Sequence, residues 1–338
     1  MKAIVLHGKR EVRVSDFPVK EVGAGDVKIA VAYCGICGTD LHKVEGKAGS
    51  RPVTYPVPLG HEISGYVEEV GSDVSGFKVG DAVTVDPNWS CGKCYYCKEG
   101  KPSFCENARG VVKGMAEYVV APAENVYPLP ENMDMKLAAL AEPLACCLRG
   151  ADLLDVSLGE TVALVGFGSI GMMMFQLLKY RGAANIIVVE TNLEKKAIAE
   201  DMGATAFVSP LDADAMAEVK KKYHISRVIE CVGNSAAQRT AIDLADKGAT
   251  VVLFGVSSAE DKLSLSVYDA FLKELTIKTS YVNPHTTGRA IALLASGLID
   301  TKHIFAKVME PEEAVTELLQ PNYCRNGKVL VRISGERA

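Results

Sequence analysis

The sequence has no excess of basic residues. It contains 37 Lys and Arg residues against 42 Asp and Glu residues, for a net charge of −5. A nucleic acid or an acidic membrane surface requires a basic face on the protein that binds it, so we expect no nucleic-acid partner and no membrane partner. The chain also lacks internal repeats, low-complexity tracts and Pro-rich linkers. Its 338 residues, 48% of them hydrophobic, favour a globular protein with two cores.

Long apolar runs are scarce as well. One stretch, Thr161–Leu178, carries no charge over eighteen positions, the length at which a membrane helix is suspected. Three glycines and a serine interrupt it after five residues, which indicates a buried strand, a tight turn and a buried helix instead. The first residues, Met1–Gly8, follow a strand-like pattern without an apolar leader or cleavage site. We therefore expect a cytoplasmic protein whose ten cysteines are reduced.

The pattern of apolar residues changes twice along the chain. Residues 1–143 hold short β-branched runs bounded by Gly, Pro and Asp, which predicts a mostly β domain with long loops. Residues 144–276 alternate strand-like and helical segments, which predicts a doubly wound parallel sheet with helices on both faces. Residues 277–338 break this alternation and are expected to rejoin the first domain. The predicted fold class is therefore α/β with two domains.

Four cysteines lie within fifteen residues. Their spacing, C-x2-C-x2-C-x7-C, is typical of a structural zinc site, in which four thiolates surround one Zn²⁺ and leave no position open. Disulfides are the alternative, but they require a secreted context, which nothing in the sequence supports. The expected ligands are Cys91, Cys94, Cys97 and Cys105.

A glycine-rich turn follows a buried strand and opens a helical run. In Gly166-Phe-Gly-Ser-Ile-Gly171 the first glycine makes the turn, the second lets the backbone approach a pyrophosphate, and the third lets the helix pack on the strand. Glu190 ends the next strand, where a carboxylate accepts the adenosine ribose hydroxyls and repels a 2′-phosphate. NAD is therefore favoured over NADP. The expected cofactor-binding residues are Gly166, Gly168, Ile170, Gly171, Glu190 and Lys195.

Two of these cofactor-binding assignments have a simpler alternative. Glu190 is also compatible with a solvated acid at the end of a strand. Lys195 is equally compatible with an exposed lysine in the first turn of a helix.

Three polar clusters in the first domain indicate a second metal site. They are Cys34–His42, Gly60-His61-Glu62 and Glu142-Pro143. One Cys, one His and a carboxylate from separate segments suit a catalytic zinc, because so few protein ligands leave a position open for water or substrate. Taken singly, His61 is compatible with a core histidine and Glu142 with a helix N-terminal acid.

The order of these blocks resembles that of the zinc-dependent medium-chain dehydrogenases/reductases, typified by alcohol, sorbitol and threonine dehydrogenases. The resemblance rests on Cys37-Gly-Thr-Asp-Leu-His42, Gly60-His-Glu62, the four-cysteine segment and Gly166–Gly171, and it covers nearly the whole chain. It implies a GroES-like catalytic domain with an inserted Rossmann domain. It also implies NAD as the cofactor and two Zn²⁺ per chain, one catalytic and one structural.

The resemblance implies a ligand set for the catalytic zinc. Cys37 and His61 match zinc ligands of the family, and Glu62 matches a ligand that exchanges with water. Glu142 stands where the polyol and threonine branches carry a glutamate, either as a ligand or as a partner of the zinc-bound water. Ethanol-type enzymes usually have cysteine at that position.

Three further residues match the family's supporting groups. Asp40 is expected to orient His61 through a hydrogen bond to its non-ligating nitrogen. Thr39 and His42 match a proton relay, in which the hydroxyl takes the substrate proton and the imidazole passes it to solvent. The alternative interpretation makes Thr39 a turn residue and His42 a surface histidine.

The expected activity is hydride transfer between NAD(H) and a secondary alcohol or ketone, with a polyol, sugar alcohol or derivative as the small-molecule substrate. A threonine-type or 2,3-diol dehydrogenase of the same family is one alternative. A non-catalytic NAD-binding structural protein is another. Its loss of activity would show as substitutions at Cys37, His61 or Thr39, but the sequence retains all three residues. A zinc-free quinone-reductase type fails on the same residues. The family also implies a homodimer or homotetramer.

Substrate identity is less well marked. Lys43, Val282 and Asn283 stand where sorbitol dehydrogenases carry an aromatic residue and an Arg-Tyr pair, which weakens a strict sorbitol assignment. Five cations around the expected site could form a positive rim for an acidic or phosphorylated polyol, although scattered surface charges are the simpler interpretation. They are Lys43, Lys47, Arg51, Arg109 and Lys113.

Overall fold

The computed structural model describes residues 1–47, 53–320 and 327–335. The chain divides into two compact units, of which the first joins Met1–Ala145 to Val282–Ala338 and the second comprises Cys146–Tyr281. Each unit has an apolar core of its own. Within the described ranges, no helix combines the length and the apolar character that crossing a membrane requires.

Strands dominate the first stretch of the chain, where β-branched residues are frequent. The strands are β1 (Lys2–Gly8), β2 (Glu11–Asp16), β3 (Asp26–Gly35), β4 (Val57–Pro58), β5 (Glu62–Val70), β6 (Ala82–Val85), β7 (Asn88–Trp89), β8 (Arg109–Gly110), β9 (Tyr118–Pro122) and β10 (Val126–Pro128). The helices are α1 (Gly38–Val44), α2 (Tyr95–Lys98), α3 (Met135–Ala138) and α4 (Ala141–Leu154), with 3₁₀ turns at Pro102–Phe104 and Ala123–Asn125.

The second unit alternates strands and helices. Its strands are β11 (Thr161–Val165), β12 (Asn185–Val189), β13 (Ala206–Val208), β14 (Arg227–Glu230), β15 (Thr250–Leu253) and β16 (Thr276–Thr279). Its helices are α5 (Ser169–Tyr180), α6 (Lys196–Met202), α7 (Ala213–Lys222), α8 (Ser235–Leu244) and α9 (Val267–Lys273), with a 3₁₀ turn at Leu193–Lys195.

These six strands form one parallel sheet. Their order is β13-β12-β11-β14-β15-β16, which is the doubly wound order of the Rossmann fold with the topological switch point between β11 and β14. Every residue of β11 is buried, as a strand covered on both faces requires. The predicted parallel sheet is confirmed. The boundary expected at residue 276 falls inside β16, whose pairing with β15 keeps that strand in the second unit.

The remaining chain completes the sheet that the first stretch begins. It forms α10 (Thr287–Ala295), β17 (Phe305–Met309), α11 (Pro311–Leu318) and β18 (Lys328–Arg332). β18 pairs antiparallel with β3 and parallel with β17, which gives a seven-stranded sheet of order β10-β6-β5-β3-β18-β17 with β9 also paired to β3. A second sheet, β2-β1-β4, belongs to the same unit.

Candidate active site

Cys37, His61 and Glu62 form a group that could hold a metal ion. One ligand atom from each lies within 4.8 Å of the other two. The antiparallel pairing of β3 with β5 brings the segments of these residues together, because Gly35 at the end of β3 lies opposite Glu62 at the start of β5. A thiolate, an imidazole and a carboxylate are the donors that a catalytic zinc takes, with a position left open. The ligand chemistry therefore fits Zn²⁺.

The electrostatics of this group also favour a cation. Burial of the ring lowers the pKa of His61, but the Cys37 thiolate, its hydrogen bond to the ring, and the charges of Asp40 and Glu142 outweigh burial and raise the pKa to about 10. A pocket that raises the pKa of a buried imidazole this far is strongly electronegative. It can hold a proton or a metal ion.

Asp40 fixes the backbone beside both expected ligands. Its Oδ2 accepts a hydrogen bond from the Cys37 N–H at 3.1 Å, and its Oδ1 accepts one from the Gly60 N–H at 3.0 Å. The predicted hydrogen bond to His61 is not formed, since the shortest approach to that ring, between Oδ1 and Nδ1, is 4.0 Å. The two backbone hydrogen bonds hold the carboxylate at this distance from the ring. Asp40 therefore acts on His61 through its charge and through the chain that carries the ring.

Glu142 lies beside the metal-ligand group without belonging to it. It occupies the first turn of α4, yet its side chain is buried. Burial raises its pKa, the charges of His61 and Lys328 oppose this, and those of Glu62 and Asp86 add to it, so that the pKa reaches about 7. The interpretation as a helix N-terminal acid is right for its position. It does not explain the buried charge cluster around the side chain.

Thr39 and His42 lie on α1, one turn apart. The Thr39 Oγ1 is 3.7 Å from the Cys37 Sγ, which places the hydroxyl at the metal-ligand group. Burial and the charge of Lys47 lower the pKa of His42 below 6.5, so the imidazole is neutral at pH 7 and able to accept a proton. Both side chains are partly exposed.

Sequence analysis missed two charged residues of this site. Lys328, the first residue of β18, has a buried side chain whose Nζ contacts the Glu62 carboxylate. Asp86 follows β6, and burial raises the pKa of its carboxyl group. Only tertiary contacts bring either residue here, so a local motif could not have found them. Cys34, in contrast, is a core residue of β3, and burial raises the pKa of its thiol well above the usual value.

The four cysteines of the second metal site also meet. One sulfur from each of Cys91, Cys94, Cys97 and Cys105 lies within 4.8 Å of the other three. The backbone N–H of Lys93 and the amide of Asn107 lower the pKa of the Cys91 thiol to about 6. Burial and the neighbouring sulfurs of Cys94 and Cys105 raise the pKa of Cys97 to about 12. In this cluster the thiol of Cys91 loses its proton easily and the thiol of Cys97 does so with difficulty, because the sulfurs lie so close together. A dication at the centre would stabilise all four as thiolates.

The glycine-rich turn has the geometry expected for a dinucleotide. Gly166 adopts a φ of 92°, which a residue with a side chain rarely adopts. A Cβ on Gly168 would have no atom within 4 Å, whereas a Cβ on Gly171 would overlap the Gly166 carbonyl oxygen. Ile170 and Gly171 lie in the first turn of α5, whose N–H groups have no partner inside the helix and favour an anion.

The Glu190 side chain contacts the same glycine-rich turn, and Lys195 lies beside Glu190. The Glu190 carboxylate accepts hydrogen bonds from the Phe167 N–H at 2.8 Å and the Asn192 N–H at 2.9 Å, and the Lys195 Nζ lies 3.5 Å away. Burial opposes ionisation, but these N–H groups and Lys195 lower the pKa of Glu190. The side chain of Lys195 is buried, so the alternative of an exposed lysine is wrong.

Glu230 is a further residue that sequence analysis missed. It ends β14 beside the switch point and is fully buried. Its Oε1 accepts hydrogen bonds from the N–H groups of Val232 and Gly233, at 2.5 and 2.6 Å, and the Val232 side chain packs over Gly166. Glu230 therefore shapes the loop that borders the glycine turn.

Two of the cations considered for a positive rim lie against aromatic rings. Arg109 stacks on the Trp89 ring, with 4.3 Å between the guanidinium carbon and the ring centroid. Lys113 lies 5.9 Å from the centre of the Phe17 ring. Arg51 lies outside the described residues. Scattered surface charges therefore remain the simpler interpretation.

Comparison with known proteins decides the family. Residues 23–131 match the family described as alcohol dehydrogenase GroES-like domain, and residues 169–296 match the family described as zinc-binding dehydrogenase. The sorbitol dehydrogenase of Bacillus subtilis (strain 168) is 32% identical over 332 residues, which cover 95% of this chain and 94% of that protein. The chain belongs to the zinc-dependent medium-chain dehydrogenases. This membership confirms the resemblance and the predicted GroES-like and Rossmann fold class.

Membership in the zinc-dependent medium-chain dehydrogenases makes the chain an oxidoreductase. It transfers hydride between a nicotinamide cofactor and an alcohol or ketone, as predicted, and zinc belongs to its chemistry. An L-threonine 3-dehydrogenase of Anaeromyxobacter sp. (strain Fw109-5) is 34% identical, with 88% of this chain and 90% of that protein covered.

Solved structures of similar dehydrogenases carry different cofactors. A zinc-binding dehydrogenase of Sinorhizobium meliloti 1021 bound to NADP is 35% identical, with a TM-score of 0.89 and 98% of each chain covered. An alcohol dehydrogenase of Escherichia coli CFT073 complexed with NADH is 28% identical, with a TM-score of 0.87 and 98% of this chain and 99% of that chain covered. A 2R,3R-butanediol dehydrogenase of Bacillus subtilis has the same identity, TM-score and coverage. The cofactor preference of this dehydrogenase must therefore be argued from its own residues.

Proposed function

We propose that this dehydrogenase oxidises a secondary hydroxyl of a polyol or sugar alcohol with NAD, and reduces the corresponding ketone with NADH. The observation that carries the proposal is the buried Glu142 beside the Cys37, His61 and Glu62 group. In the family, a glutamate at this position belongs to the polyol and threonine branches, whereas ethanol-type enzymes usually carry cysteine. The similarity to a sorbitol dehydrogenase supports the same substrate class.

In this proposal Cys37, His61 and Glu62 hold the catalytic zinc, with Glu142 at its edge. When bound, zinc supplies a Lewis acid for the substrate oxygen. The Thr39 hydroxyl, which lies beside the Cys37 thiol, accepts the proton of the substrate hydroxyl and releases its own proton in the same step. Neutral His42, one turn along α1, accepts the released proton and passes a proton to solvent.

NAD is the proposed cofactor because of the charge at Glu190. Its carboxylate is held in the ionised form beside the glycine-rich turn, where it would repel the 2′-phosphate of NADP. Lys195 offsets part of this charge. The preference for NAD is therefore expected to be measurable but moderate.

A screen of purified enzyme tests the substrate class. Polyols, their phosphates and acids, 2,3-diols and L-threonine are each offered with NAD, and NADH formation is followed by absorbance. We expect the highest kcat/KM with a polyol or sugar alcohol, and no turnover by the matched variant Cys37→Ser. A higher kcat/KM with L-threonine or a 2,3-diol would support the alternative that two of the similar proteins suggest. Turnover of none of these substrates would contradict both.

The second unit carries a surface that suits a second copy of the chain. Val267, Tyr268, Phe271 and Leu272 on α9 are 54% to 76% exposed, and β16 forms an edge of the parallel sheet. Exposed apolar patches and open strand edges are typical of association sites. We propose a homodimer or homotetramer that buries this face. Light scattering should show an oligomer, and Phe271→Glu should shift it towards the monomer.

We also place the enzyme in the cytoplasm. Within the described residues, Cys34, Cys37, Cys91, Cys94, Cys97, Cys105 and Cys231 form no disulfide, and reduced cysteines persist in a reducing compartment. Detection of a fluorescent fusion outside the cytoplasm would contradict this placement.

A further inference from the structure

Arg10 connects elements of the first unit that lie far apart in the sequence. It lies in the two-residue turn between β1 and β2, where Gly8 pairs with Glu11. Its φ is 60°, a left-handed conformation that is uncommon for residues with a side chain. A backbone strained in this way persists only where surrounding contacts hold it, and such residues are concentrated at functional sites. The contacts that hold Arg10 therefore point to a function of this turn.

The backbone of Arg10 completes the end of α1, the helix that carries both residues of the proton relay. The last four carbonyl groups of a helix have no partner inside it. In α1, N–H groups of the chain that follows reach three of them, at 2.8 to 3.0 Å. These pairs are Glu45 to Leu41, Gly46 to Lys43 and Lys47 to His42. The fourth carbonyl, that of Val44, accepts a hydrogen bond from the Arg10 N–H at 2.8 Å.

The guanidinium group of Arg10 holds the same end of α1 from another side. It pairs with the carboxylate of Glu45, the residue that follows α1. Its Nη2 also donates a hydrogen bond to the carbonyl oxygen of Leu319, at 3.0 Å. Leu319 follows α11, which packs against α1 and β2. One side chain therefore joins the end of α1 to the end of α11.

These contacts contribute more to position than to global stability. The side chains of Arg10 and Glu45 are 49% and 40% exposed, and ion pairs this exposed contribute little to the free energy of unfolding. In contrast, α1 has seven residues, which is too short for a helix to persist without tertiary contacts. His42 lies in the last turn of α1, so the place of its ring depends on the contacts made at that end.

We propose that Arg10 is a positioning residue that holds His42 in reach of Thr39 for proton transfer. Asp40 fixes the start of α1 through two backbone hydrogen bonds, and Arg10 fixes its end. A proton passes between two side chains only when they are in hydrogen-bond reach of each other or of one bridging water. Movement of the last turn would therefore interrupt the relay. This inference rests on the proposed roles of Thr39 and His42.

The variant Arg10→Gly of the full-length enzyme tests the proposal. Glycine suits the left-handed conformation and keeps the N–H that bonds to Val44, but both guanidinium contacts are lost. The substrate is the alcohol with the highest kcat/KM in the screen of polyols, 2,3-diols and L-threonine. We expect kcat/KM to fall by about tenfold, because general-base catalysis contributes about 10²–10⁴-fold and only part of it is lost. Zinc content, NADH affinity and the urea unfolding midpoint should stay close to native.

Two further readouts separate positioning of the relay from a general change of structure. In a His42→Asn background, Arg10→Gly should cause no further loss of kcat/KM, because residues that act through one another are not additive. Imidazole buffer should restore part of kcat/KM in Arg10→Gly, since a free base can take up the proton that Thr39 releases. As a matched control, Arg13→Met removes an exposed arginine from the same hairpin, opposite Val5, and should keep native kcat/KM.

The outcomes distinguish the inference from the relay on which it rests. If His42→Asn has native kcat/KM, the relay itself is wrong. If His42→Asn is impaired while Arg10→Gly is native, only the positioning role is refuted. An equal loss from Arg10→Gly in the native and His42→Asn backgrounds would also refute it, because Arg10 would then act elsewhere. If Arg10→Gly does not fold, Glu45→Gln replaces it, with a smaller fall in kcat/KM expected and the same cycle with His42→Asn.

Discussion

The third glycine of the turn, Gly171, offers a quantitative test of the cofactor site. In Gly171→Ala the new methyl group overlaps the Gly166 carbonyl oxygen and lies 3.0 Å from the carbonyl carbon. Because the obstacle is backbone, α5 and the turn must separate by about 1 Å to restore ordinary contact. A displacement of this size in an element that positions a ligand can lower the reaction rate by on the order of 100-fold. We expect NADH affinity to fall by about 10- to 100-fold.

Stability is the less informative measurement for this variant. Overpacking costs about 1–3 kcal/mol, but alanine is about 1 kcal/mol better than glycine inside a helix. The free energy of unfolding should therefore fall by only about 0–2 kcal/mol. The assay is a fluorescence titration with NADH, supported by a urea unfolding curve that confirms the fold.

Two matched glycine substitutions act as controls. In Gly168→Ala the methyl group has no protein atom within 4 Å, so stability should be unchanged while NADH affinity falls, because the methyl group faces the pyrophosphate. In Gly25→Ala the methyl group also contacts nothing, and both properties should stay native. Native NADH affinity in Gly171→Ala and Gly168→Ala would refute the placement of the cofactor at this turn.

Other measurements address the remaining parts of the site. Metal analysis should find about two zinc ions per chain, as one closed and one open site require. Cys97→Ser should lose the zinc ion of the closed site. Cys37→Ser should lose the zinc ion of the open site and retain NADH binding. Glu190→Ala should lower the ratio of kcat/KM for NAD to that for NADP, and an unchanged ratio would mean that the carboxylate does not face the ribose. The pKa of His42 is lowered below 6.5, so His42 can accept a proton above that pKa, and kcat/KM should fall as pH drops through it. His42→Asn should remove this fall in kcat/KM at low pH. If the fall persists in the variant, His42 is not the base. Glu230→Gln keeps an acceptor for the Val232 and Gly233 N–H groups and should bind NADH within about threefold of native, whereas Glu230→Leu leaves both donors unpaired and should lose about 2–4 kcal/mol of stability, read from urea unfolding.

The parts of the site that are local in sequence could be predicted. The four cysteines and the glycine-rich turn each occupy one short segment, so spacing alone identified the residues that the structure brings together. The parallel sheet could be predicted from the alternation over residues 144–276, because buried parallel strands are continuous apolar runs, as in Thr161–Val165.

The parts that depend on tertiary pairing could not be predicted. Lys328 opens a strand at the far end of the sequence, and nothing local indicates that its ammonium is buried against Glu62. The hydrogen bond expected between Asp40 and His61 failed for a related reason. The N–H groups of Cys37 and Gly60 hold the carboxylate, and the distance that this leaves between Oδ1 and the His61 ring depends on tertiary structure.

The order in which the first unit receives its strands bears on biosynthesis. β18, which pairs with β3, is synthesised after the whole second unit has been made. The nascent N-terminal part therefore leaves the Tyr33–Gly35 edge of β3 unpaired until β18 has been made, and Glu62 lacks its ammonium partner during that interval. A chain truncated before Lys328 would have an intact nucleotide-binding unit and an unfinished catalytic one, a species that quality-control proteases should remove.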